Sequence, residues 1–169
     1  MEKEKKFCPY CGKKLTDIKH SGKRRLYCTV CKEVLYENPL PAVVALVADE
    51  MGSKILLVKR SEEPARGNWC LPGGFVEADE KPEDASLREL YEETGIKGKI
   101  GKFVGISSQM SIFYDRMIIL IGFKIENVKG ELKAGDDAEE TGWFSFENLP
   151  VLAFTSHQEL LKKFKEMLK

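Results

Sequence analysis

The pattern of hydrophobic and polar side chains divides much of the chain into short strands and two helices. Residues 42–48 are all apolar and rich in valine, which is typical of a strand that is buried on both faces. Four further segments are predicted strands, because β-branched and aromatic residues dominate them. These segments are residues 55–59, 99–109, 116–125 and 143–146. The mixture of strands and helices predicts an α/β fold.

The first predicted helix runs from Pro82 to Thr94. Proline is tolerated in the first turn of a helix, and the glycine at position 95 can adopt the left-handed cap at its end. At about 3.6 residues per turn, this helix has one charged side and one packing side. The charged side holds Arg88, Glu89, Glu92 and Glu93, and the packing side holds Leu87, Leu90 and Tyr91.

The last part of the chain predicts a second helix and two loops that bear on function. The helix covers residues 156–168, with an apolar stripe formed by Leu160, Leu161, Phe164 and Leu168. Residues 110–115 form a predicted loop over the site, and residues 134–140 form a predicted acidic loop.

The carboxylates on the first helix have two interpretations. Like charges three and four residues apart repel by about a few tenths of a kcal/mol per pair, so a bound cation such as Mg²⁺ would relieve them. Arg88 could orient one carboxylate through a bidentate pair. The alternative is a solvated acidic face. A metal site is favoured by the Gly73-Gly74 turn and by Glu80, which stand at fixed offsets before the helix. A solvated face would not require these residues at those positions.

Together these residues form the pattern Gly-x5-Glu-x7-Arg-Glu-Leu-x-Glu-Glu-x-Gly-Ile over residues 74–96. The pattern resembles the signature of the Nudix hydrolases at every defined position. The resemblance implies a Nudix α/β/α sandwich with a mixed sheet, which binds Mg²⁺ or Mn²⁺ and hydrolyses a diphosphate linked to a nucleoside. It also implies that Glu89, Glu92 and Glu93 are metal ligands or the base, and that the Gly74 carbonyl is a further ligand.

The general base is predicted less sharply than the metal ligands. Within the family it is either a glutamate of the signature or an acid on a distant loop, so Glu89 and then Asp137 are candidates. The acidic loop offers three more carboxylates, those of Asp136, Glu139 and Glu140. A solvated turn is the alternative interpretation of that loop.

Several side chains outside the signature are candidates for substrate binding. Arg60 and Arg66 flank a polar loop and could contact phosphate or a base, although surface arginines are equally common. Tyr114, with Phe113 beside it, could stack on a base or pack in the core. His157 could contact a ligand, although a histidine in the first turn of a helix more often lies at the surface. Cys70 is interpreted as a small buried hydrophobic residue.

The N-terminal segment is predicted to be a separate zinc ribbon. Cys8 and Cys11, then Cys28 and Cys31, form two C-x2-C pairs with the spacing of a four-thiolate zinc site. A redox dithiol would need one such pair, and disulfides are rare in a reducing compartment. We expect structural Zn²⁺ here, because about 30 residues have too little core to fold without it.

Residues 1–37 are therefore assigned to the ribbon and residues 38–169 to the Nudix domain, with a proline-rich hinge at residues 38–41. This layout resembles the enzymes that cleave ADP-ribose or FAD to AMP and a phosphate ester. It also resembles the NADH pyrophosphatases, but their Ser-Gln-Pro-Trp-Pro-Phe-Pro marker is absent after Ser108-Gln109. Two more functions stay open, a nucleoside triphosphate pyrophosphohydrolase and a non-catalytic nucleotide- or RNA-binding module.

Composition adds limits on the partners. The 169 residues are formally neutral, with 27 basic and 27 acidic side chains, but residues 1–32 carry a charge of +7 and the remainder −7. The acidic body suits a cation. The ribbon has a basic cluster at residues 23–25, in its predicted central turn, but few aromatic side chains lie among its basic residues, which makes nucleic acid an improbable partner. We expect a small-molecule nucleotide as the partner, a cytoplasmic location and no membrane span. The sequence is also compatible with a homodimer.

Overall fold

The computed structural model describes residues 5–169 and contains nine strands and two helices in that range. The N-terminal ribbon, residues 5–37, holds β1 (Thr16–His20), β2 (Lys23–Cys28) and β3 (Glu33–Leu35). The remaining elements are β4 (Leu40–Leu46), β5 (Lys54–Arg60), β6 (Trp69–Cys70), α1 (Pro82–Thr94), β7 (Lys97–Ser111), β8 (Arg116–Lys129), β9 (Ala138–Ser145) and α2 (Thr155–Met167).

The N-terminal ribbon is an antiparallel sheet in the order β1-β2-β3. Its core is very small, and consists of Cys8, Leu15, Cys28 and Leu35. Residues 23–25, which the sequence placed in a turn, lie on β2 and pair with β1. The basic cluster is on a strand because the turn between β1 and β2 needs only Ser21 and Gly22, both of which have positive φ angles.

Two three-stranded sheets form the body of the molecule. One has the order β4-β8-β7, with β4 parallel to β8 and β7 antiparallel to it, and the other is antiparallel in the order β6-β5-β9. The first sheet is therefore mixed, as predicted. The apolar run at residues 42–48 overlaps β4, whose successive side chains point to opposite faces of the sheet and pack in two different cores. Val43 packs in the core beside α1, whereas Val44 packs in the core beside α2.

Helix α1 has the predicted limits, with proline in its first turn and Gly95 in the left-handed conformation at its C-cap. The prediction for its packing side was partly wrong. Leu90 is fully buried, but Tyr91 is 49% exposed and its ring contacts the ammonium of Lys97 instead of the core. The buried residues of the helix include Leu90, Glu93 and Thr94, so the glutamate at position 93 takes a place on the packing side.

Two predicted irregular segments are partly strand. Strand β4 begins at Leu40, within the predicted hinge, and Pro41 pairs with Ile119 of β8. Proline lacks an N–H but retains an acceptor, so it is tolerated near the start of a strand. Strand β9 begins at Ala138, so the acidic loop ends before Glu139. No helix in residues 5–169 is long and apolar enough to cross a membrane.

Candidate active site

The Gly73-Gly74 turn brings the start of the signature against strand β4 and helix α1. At Gly73 the φ angle is 152°, and a Cβ atom would overlap the carbonyl oxygen of Val43. At Gly74 a Cβ atom would lie 2.5 Å from Oε1 of Glu89. Glycine is required at position 73, where a side chain would meet backbone atoms, and at position 74 a side chain would displace the Glu89 carboxylate. The Gly74 carbonyl accepts a hydrogen bond from the Val43 N–H at 2.9 Å and retains a second lone pair.

Arg88 is the centre of the charged face of α1. Its guanidinium forms a bidentate pair with Glu80, with Nη2–Oε1 and Nε–Oε2 distances of 2.7 and 3.0 Å. Its Nη1 donates to both Glu89 and Glu92 at 2.8 Å. The hydrogen bonds from Arg88 lower the pKa of Glu80, and those to Glu80, Glu89 and Glu92 raise the pKa of Arg88. One arginine thus fixes three of the signature carboxylates.

Glu93 lies apart from this network, on the buried side of the helix. It is only 2% exposed, and one carboxylate oxygen accepts the Gly73 N–H at 2.8 Å. Burial raises the pKa of Glu93 well above its usual range, and the charges of Asp137 and Glu89 raise it further. Burial likewise raises the pKa of Glu89, while Arg88 opposes that shift. These carboxylates are therefore in an environment that favours a nearby cation.

The acidic loop is joined to the C-terminal half of α1 through its backbone. The Gly135 N–H donates to the Glu93 carbonyl at 3.1 Å, and the Asp137 carbonyl accepts from both the N–H and the hydroxyl of Ser61. These bonds place Asp137 close enough to Glu89 and Glu93 for its charge to raise their pKa values. Arg88, Glu89, Glu92 and Glu93 thus lie on α1, and the fifth candidate, Asp137, lies on this loop near two of them.

The other three acids of that loop are placed differently from Asp137. Asp136 is exposed and has a positive φ angle. Glu139 and Glu140 are also exposed, and both pair with Lys59 at 3.7 and 3.6 Å. Two of the four candidates from the acidic loop are therefore already compensated by a lysine on β5.

The donor set around the Gly73-Gly74 turn fits a hard divalent cation. It consists of carboxylate oxygens and a backbone carbonyl, which Mg²⁺ and Mn²⁺ prefer. The carboxylates of Glu89, Glu92 and Glu93 do not all converge within 4.8 Å of one another, because the first two are turned to Arg88 and the third to Gly73.

A cavity of about 100 Å³ opens directly beside the Gly73-Gly74 turn. Its walls are mainly apolar and aromatic, and they include Ile118, Leu120, Phe75, Tyr114 and Phe154. Tyr114 packs edge-to-face on Phe75 at 5.2 Å and on Phe113 at 4.9 Å. Aromatic walls with few polar groups suit a flat, partly apolar ligand such as a nucleobase.

The two arginine candidates have different positions relative to this cavity. Arg60 lines it, with its guanidinium 5.5 Å from the centre of the Phe154 ring and Nε donating to the Pro64 carbonyl at 2.7 Å. Arg66 is exposed and is not among the lining residues. Cys70 is buried nearby, as predicted, and burial raises the pKa of its thiol to about 12.

His157 is buried at the N-terminus of α2 and lines the same cavity, contrary to the surface position that is usual for such a histidine. It is 7% exposed, and its Nδ1 accepts the Leu71 N–H at 3.2 Å. Burial lowers the pKa of His157 to about 3, so the ring is neutral at pH 7 and carries its proton on Nε2. No hydrogen bond within residues 5–169 uses that Nε2–H.

Gln109 is a second polar residue of the cavity, and the sequence did not predict it. Its Oε1 accepts from the Thr155 hydroxyl, the Ser156 N–H and the Ser156 hydroxyl at 3.0–3.2 Å. The backbone N–H of Ser156 can only donate, so the Gln109 atom that it contacts must be the amide oxygen. This fixes the orientation of the Gln109 amide. Gln109 and His157 both line the cavity, and the Nε2 group of each can donate a hydrogen bond.

The four ribbon cysteines form a different kind of centre. Their sulfur atoms all lie within 4.8 Å of one another, and among residues 5–169 no other group of three or more such side chains converges in this way. A tetrahedral Zn²⁺ with Zn–S distances near 2.3 Å needs sulfurs about 3.8 Å apart, so the cluster fits that ion. The Cys31 N–H donates to the Cys28 sulfur at 3.4 Å and lowers the pKa of Cys28 to about 7.

Comparison with known proteins identifies the family of the domain that follows the ribbon. The NUDIX domain model matches residues 38–165. A crystal structure of a NUDIX hydrolase from Nitrosomonas europaea superposes with a TM-score of 0.80 at 28% identity, covering 96% of this chain and 91% of that chain.

Two curated relatives are similar in sequence. The ADP-ribose pyrophosphatase of Methanocaldococcus jannaschii is 42% identical over 130 residues, which are 77% of this chain and 75% of that protein. The NAD-capped RNA hydrolase NudC of Pseudomonas putida is 34% identical over 151 residues, which are 89% of this chain. This chain spans about half the length of that second relative, 51%. Since the family model covers well over half of its residues, the chain belongs to the Nudix hydrolases.

Proposed function

We propose that this Nudix hydrolase cleaves the diphosphate of ADP-ribose, FAD or a similar nucleoside diphosphate linked to another moiety, and releases AMP and a phosphate ester. The observation that carries the proposal is the position of Glu89, one of the carboxylates held by Arg88, which lies against Gly74 in the wall of the aromatic cavity. A diphosphate held at the carboxylates can thus place its nucleoside in the cavity. The similarity to the M. jannaschii ADP-ribose pyrophosphatase supports this substrate class.

The proposed metal ligands are the carboxylates of Glu89, Glu92 and Glu93 and the carbonyl of Gly74. A bound Mg²⁺ or Mn²⁺ would neutralise charge on the diphosphate and make a water nucleophilic near neutral pH. Arg88 holds two of these carboxylates at 2.8 Å before a metal binds, which lowers the cost of ordering them. We assign no further role in the chemistry to the guanidinium.

The residue that takes the proton from the attacking water is proposed to be Asp137 or Glu89. Asp137 is held by two hydrogen bonds to its carbonyl from Ser61, and its charge acts directly on Glu89 and Glu93. A general base needs to lie within hydrogen-bonding reach of its water, and Asp137 and Glu89 are close enough for the charge of one to act on the other. Glu139 and Glu140 are weaker candidates, because each already pairs with Lys59.

We propose that the nucleoside binds in the cavity, where Tyr114 supplies an aromatic surface and His157 and Gln109 supply hydrogen-bond donors. Purine ring nitrogens are acceptors that these donors fit. Arg60 lies at the cavity wall, and its guanidinium suits the phosphate nearest the nucleoside. Arg66 is not included in this proposal, since it lies outside the cavity lining.

For the N-terminal ribbon we propose a structural Zn²⁺ held by Cys8, Cys11, Cys28 and Cys31. Four thiolates complete the tetrahedron of the ion, so the zinc would have no open position for a substrate. We also propose a division into a ribbon over residues 1–37 and a catalytic domain over residues 38–169, and a cytoplasmic location.

A second candidate substrate is a diphosphate at the 5′ end of an RNA. The alignment with NudC of P. putida covers 151 residues, so it includes part of the N-terminal ribbon as well as the Nudix domain. The cavity would hold the adenosine in the same way for either substrate, which leaves product analysis to separate them. NADH and nucleoside triphosphates are also candidate substrates for the same centre.

The test is a panel of ADP-ribose, FAD, NADH, NAD-capped RNA and nucleoside triphosphates, each incubated with Mg²⁺ or Mn²⁺ and purified protein. Chromatography of the products should show AMP and a phosphate ester from ADP-ribose. Release of inorganic pyrophosphate from a triphosphate, without cleavage of the other compounds, would replace the proposal by a triphosphate pyrophosphohydrolase. Cleavage of none of these compounds would contradict it.

A further inference from the structure

A second cavity lies between the N-terminal ribbon and the Nudix domain. Its volume is about 710 Å³, which is within the range of pockets that bind small molecules. Strands of the ribbon form one wall, and residues 114–116 at the turn between β7 and β8 form the opposite wall. Tyr114 also lines the cavity beside Gly74, so the two cavities meet at this side chain.

The walls of the second cavity carry more positive than negative charge. The cations are Lys5, Arg24, Arg25 and Arg116, and the anions are Asp17, Glu37 and Asp115. Two of the cations share a single partner, because Lys5 and Arg116 approach Glu37 at 3.8 and 3.3 Å. Asp17 pairs with Arg24 at 2.7 Å, and the four cations of the lining exceed its three anions by one, so the cavity keeps a net positive charge.

Arg25 is the least compensated of these cations. Within residues 5–169 its guanidinium forms no ion pair with a carboxylate, and it lies instead 5.1 Å from the centre of the Tyr36 ring. Strand β2 and this ring contact hold the side chain in a half-buried position. A guanidinium that is already oriented loses little entropy when it binds a phosphate, whose geometry it matches with two parallel hydrogen bonds.

We propose that this second cavity binds a phosphate group that the substrate carries in addition to the diphosphate it hydrolyses. The inference rests on the proposed function, because a nucleoside in the first cavity would lie beside Tyr114, which also lines the second cavity. The ligand chemistry is a phosphate attached to the ribose of that nucleoside. A 2′- or 3′-phosphate monoester and the phosphate that joins the next nucleotide of an RNA share this chemistry. The ribbon is thereby part of the substrate site.

The test measures inhibition of ADP-ribose hydrolysis by AMP and by three relatives of AMP with one more phosphate. These are adenosine 2′,5′-bisphosphate, adenosine 3′,5′-bisphosphate and the dinucleotide pApA. We expect at least one of the three to inhibit about 10-fold more strongly than AMP, as for one charge-assisted hydrogen-bonded pair. Stronger inhibition by a bisphosphate identifies a monoester as the ligand, and stronger inhibition by pApA alone identifies an RNA chain.

The preference for the extra phosphate is the inhibition constant of AMP divided by that of the strongest of the three other compounds. This ratio should depend on Arg25 and not on the total charge of the protein. In Arg25→Ala we expect the ratio to fall to about one, and in Arg25→Lys to an intermediate value. Lys19→Ala is the matched control, because it removes one exposed cation from β1 without altering the cavity lining; its ratio should match that of the unaltered protein. Zinc content, measured for each variant, confirms that the ribbon is folded.

Two results would overturn the inference. One is equal inhibition by all four compounds, and the other is a preference that Arg25→Ala retains. Should ADP-ribose not be cleaved at all, the proposed function fails separately, and calorimetric titration of AMP and the same three compounds still decides whether this phosphate site exists.

Discussion

The two candidate metal centres of this chain are built in opposite ways. In the N-terminal ribbon four sulfur atoms converge within 4.8 Å, around a core of only four buried residues. In the Nudix domain the carboxylates of Glu89 and Glu92 are spread around the guanidinium of Arg88. Helix α1, which carries them, also packs on a large core through Ala85 and Leu90.

This difference separates a metal needed for folding from one needed for chemistry. The ribbon has little buried apolar area to offset the entropy of ordering its chain, so its folding should depend on the ion. The carboxylates of α1 already have a cation in Arg88, and the helix has its own core. The Nudix domain should therefore fold without divalent metal and should require the metal only for hydrolysis.

The strongest test of this contrast is Cys28→Ser. Cys28 is fully buried, and losing one of four thiolates should remove most of the metal-binding free energy, which is about 10 kcal/mol or more for structural zinc sites. We expect loss of zinc and rapid amide exchange throughout residues 5–37, measured by metal analysis and hydrogen-exchange mass spectrometry. Exchange within α1 should change little.

The control for this variant is Cys70→Ala, which alters a buried cysteine of the Nudix domain that lies outside the cluster. It should retain one zinc per chain. A ribbon whose amides remain protected after the zinc is lost would show that its small core suffices, and the contrast between the two centres would then be wrong.

The next largest effect is expected from Glu92→Gln. Glutamine keeps the shape of the side chain but removes the charge that would bind the metal, so kcat for ADP-ribose should fall by about 10²- to 10³-fold, or about 3–4 kcal/mol. The free energy of unfolding, measured by urea denaturation without divalent metal, should change by less than about 1 kcal/mol, because this exposed ion pair contributes little.

Glu83→Gln provides the matched comparison, since Glu83 is an exposed glutamate in the first turn of the same helix. Its kcat should remain within about two-fold of the unaltered protein. Equal losses in both variants would indicate a general effect of charge on the helix and no metal site at Glu92.

A smaller effect should distinguish the acids of the neighbouring loop. If Asp137 is the general base, Asp137→Asn should lower kcat by about 10²-fold, whereas Asp136→Asn should have almost no effect because Asp136 is exposed. The measurement is single-turnover hydrolysis of ADP-ribose at saturating Mg²⁺. An unchanged kcat for Asp137→Asn would assign the base to Glu89.

Much of the fold was predictable because its signals are local. The apolar run in β4 reflects burial on both faces, and proline and glycine mark both ends of α1. The positions of Gly73 and Gly74 follow from spacing within one motif. Tyr91 was predicted wrongly, because helical periodicity does not reveal that Glu93 takes a buried position instead.

The polar part of the cavity was much less predictable, because it depends on contacts between distant segments. His157 is fixed by Leu71, 86 positions away, and Gln109 by Ser156, 47 positions away. Neither pairing leaves a pattern in the local sequence. The spacing of the cysteines predicted a metal cluster, but not that the basic residues 23–25 lie on a strand.

The smallest expected effect comes from His157→Asn. This variant tests whether the Nε2–H of the neutral His157 ring donates a hydrogen bond to the ligand. The Asn Oδ1 atom can replace Nδ1 as acceptor for the Leu71 N–H, but no group replaces Nε2–H. We expect the KM for ADP-ribose to rise by about 10-fold, as for one lost hydrogen bond, with a smaller change in kcat. Since the pKa of His157 is about 3, KM of the unaltered protein should show no histidine ionisation between pH 5.5 and 8.

The same variant has a signature in stability. The pKa of a histidine in the unfolded chain is near 6.5, so the unfolded state binds a proton below this pH. Folded His157 binds that proton only below about pH 3. This group therefore lowers the free energy of unfolding as the pH falls, by about 2 kcal/mol between pH 7 and pH 5. His157→Asn should lose that part of the pH dependence. If urea denaturation shows the same slope in both proteins, folded His157 takes up its proton near pH 6.5 as the unfolded chain does, and Nδ1 is then not held as the acceptor of the Leu71 N–H.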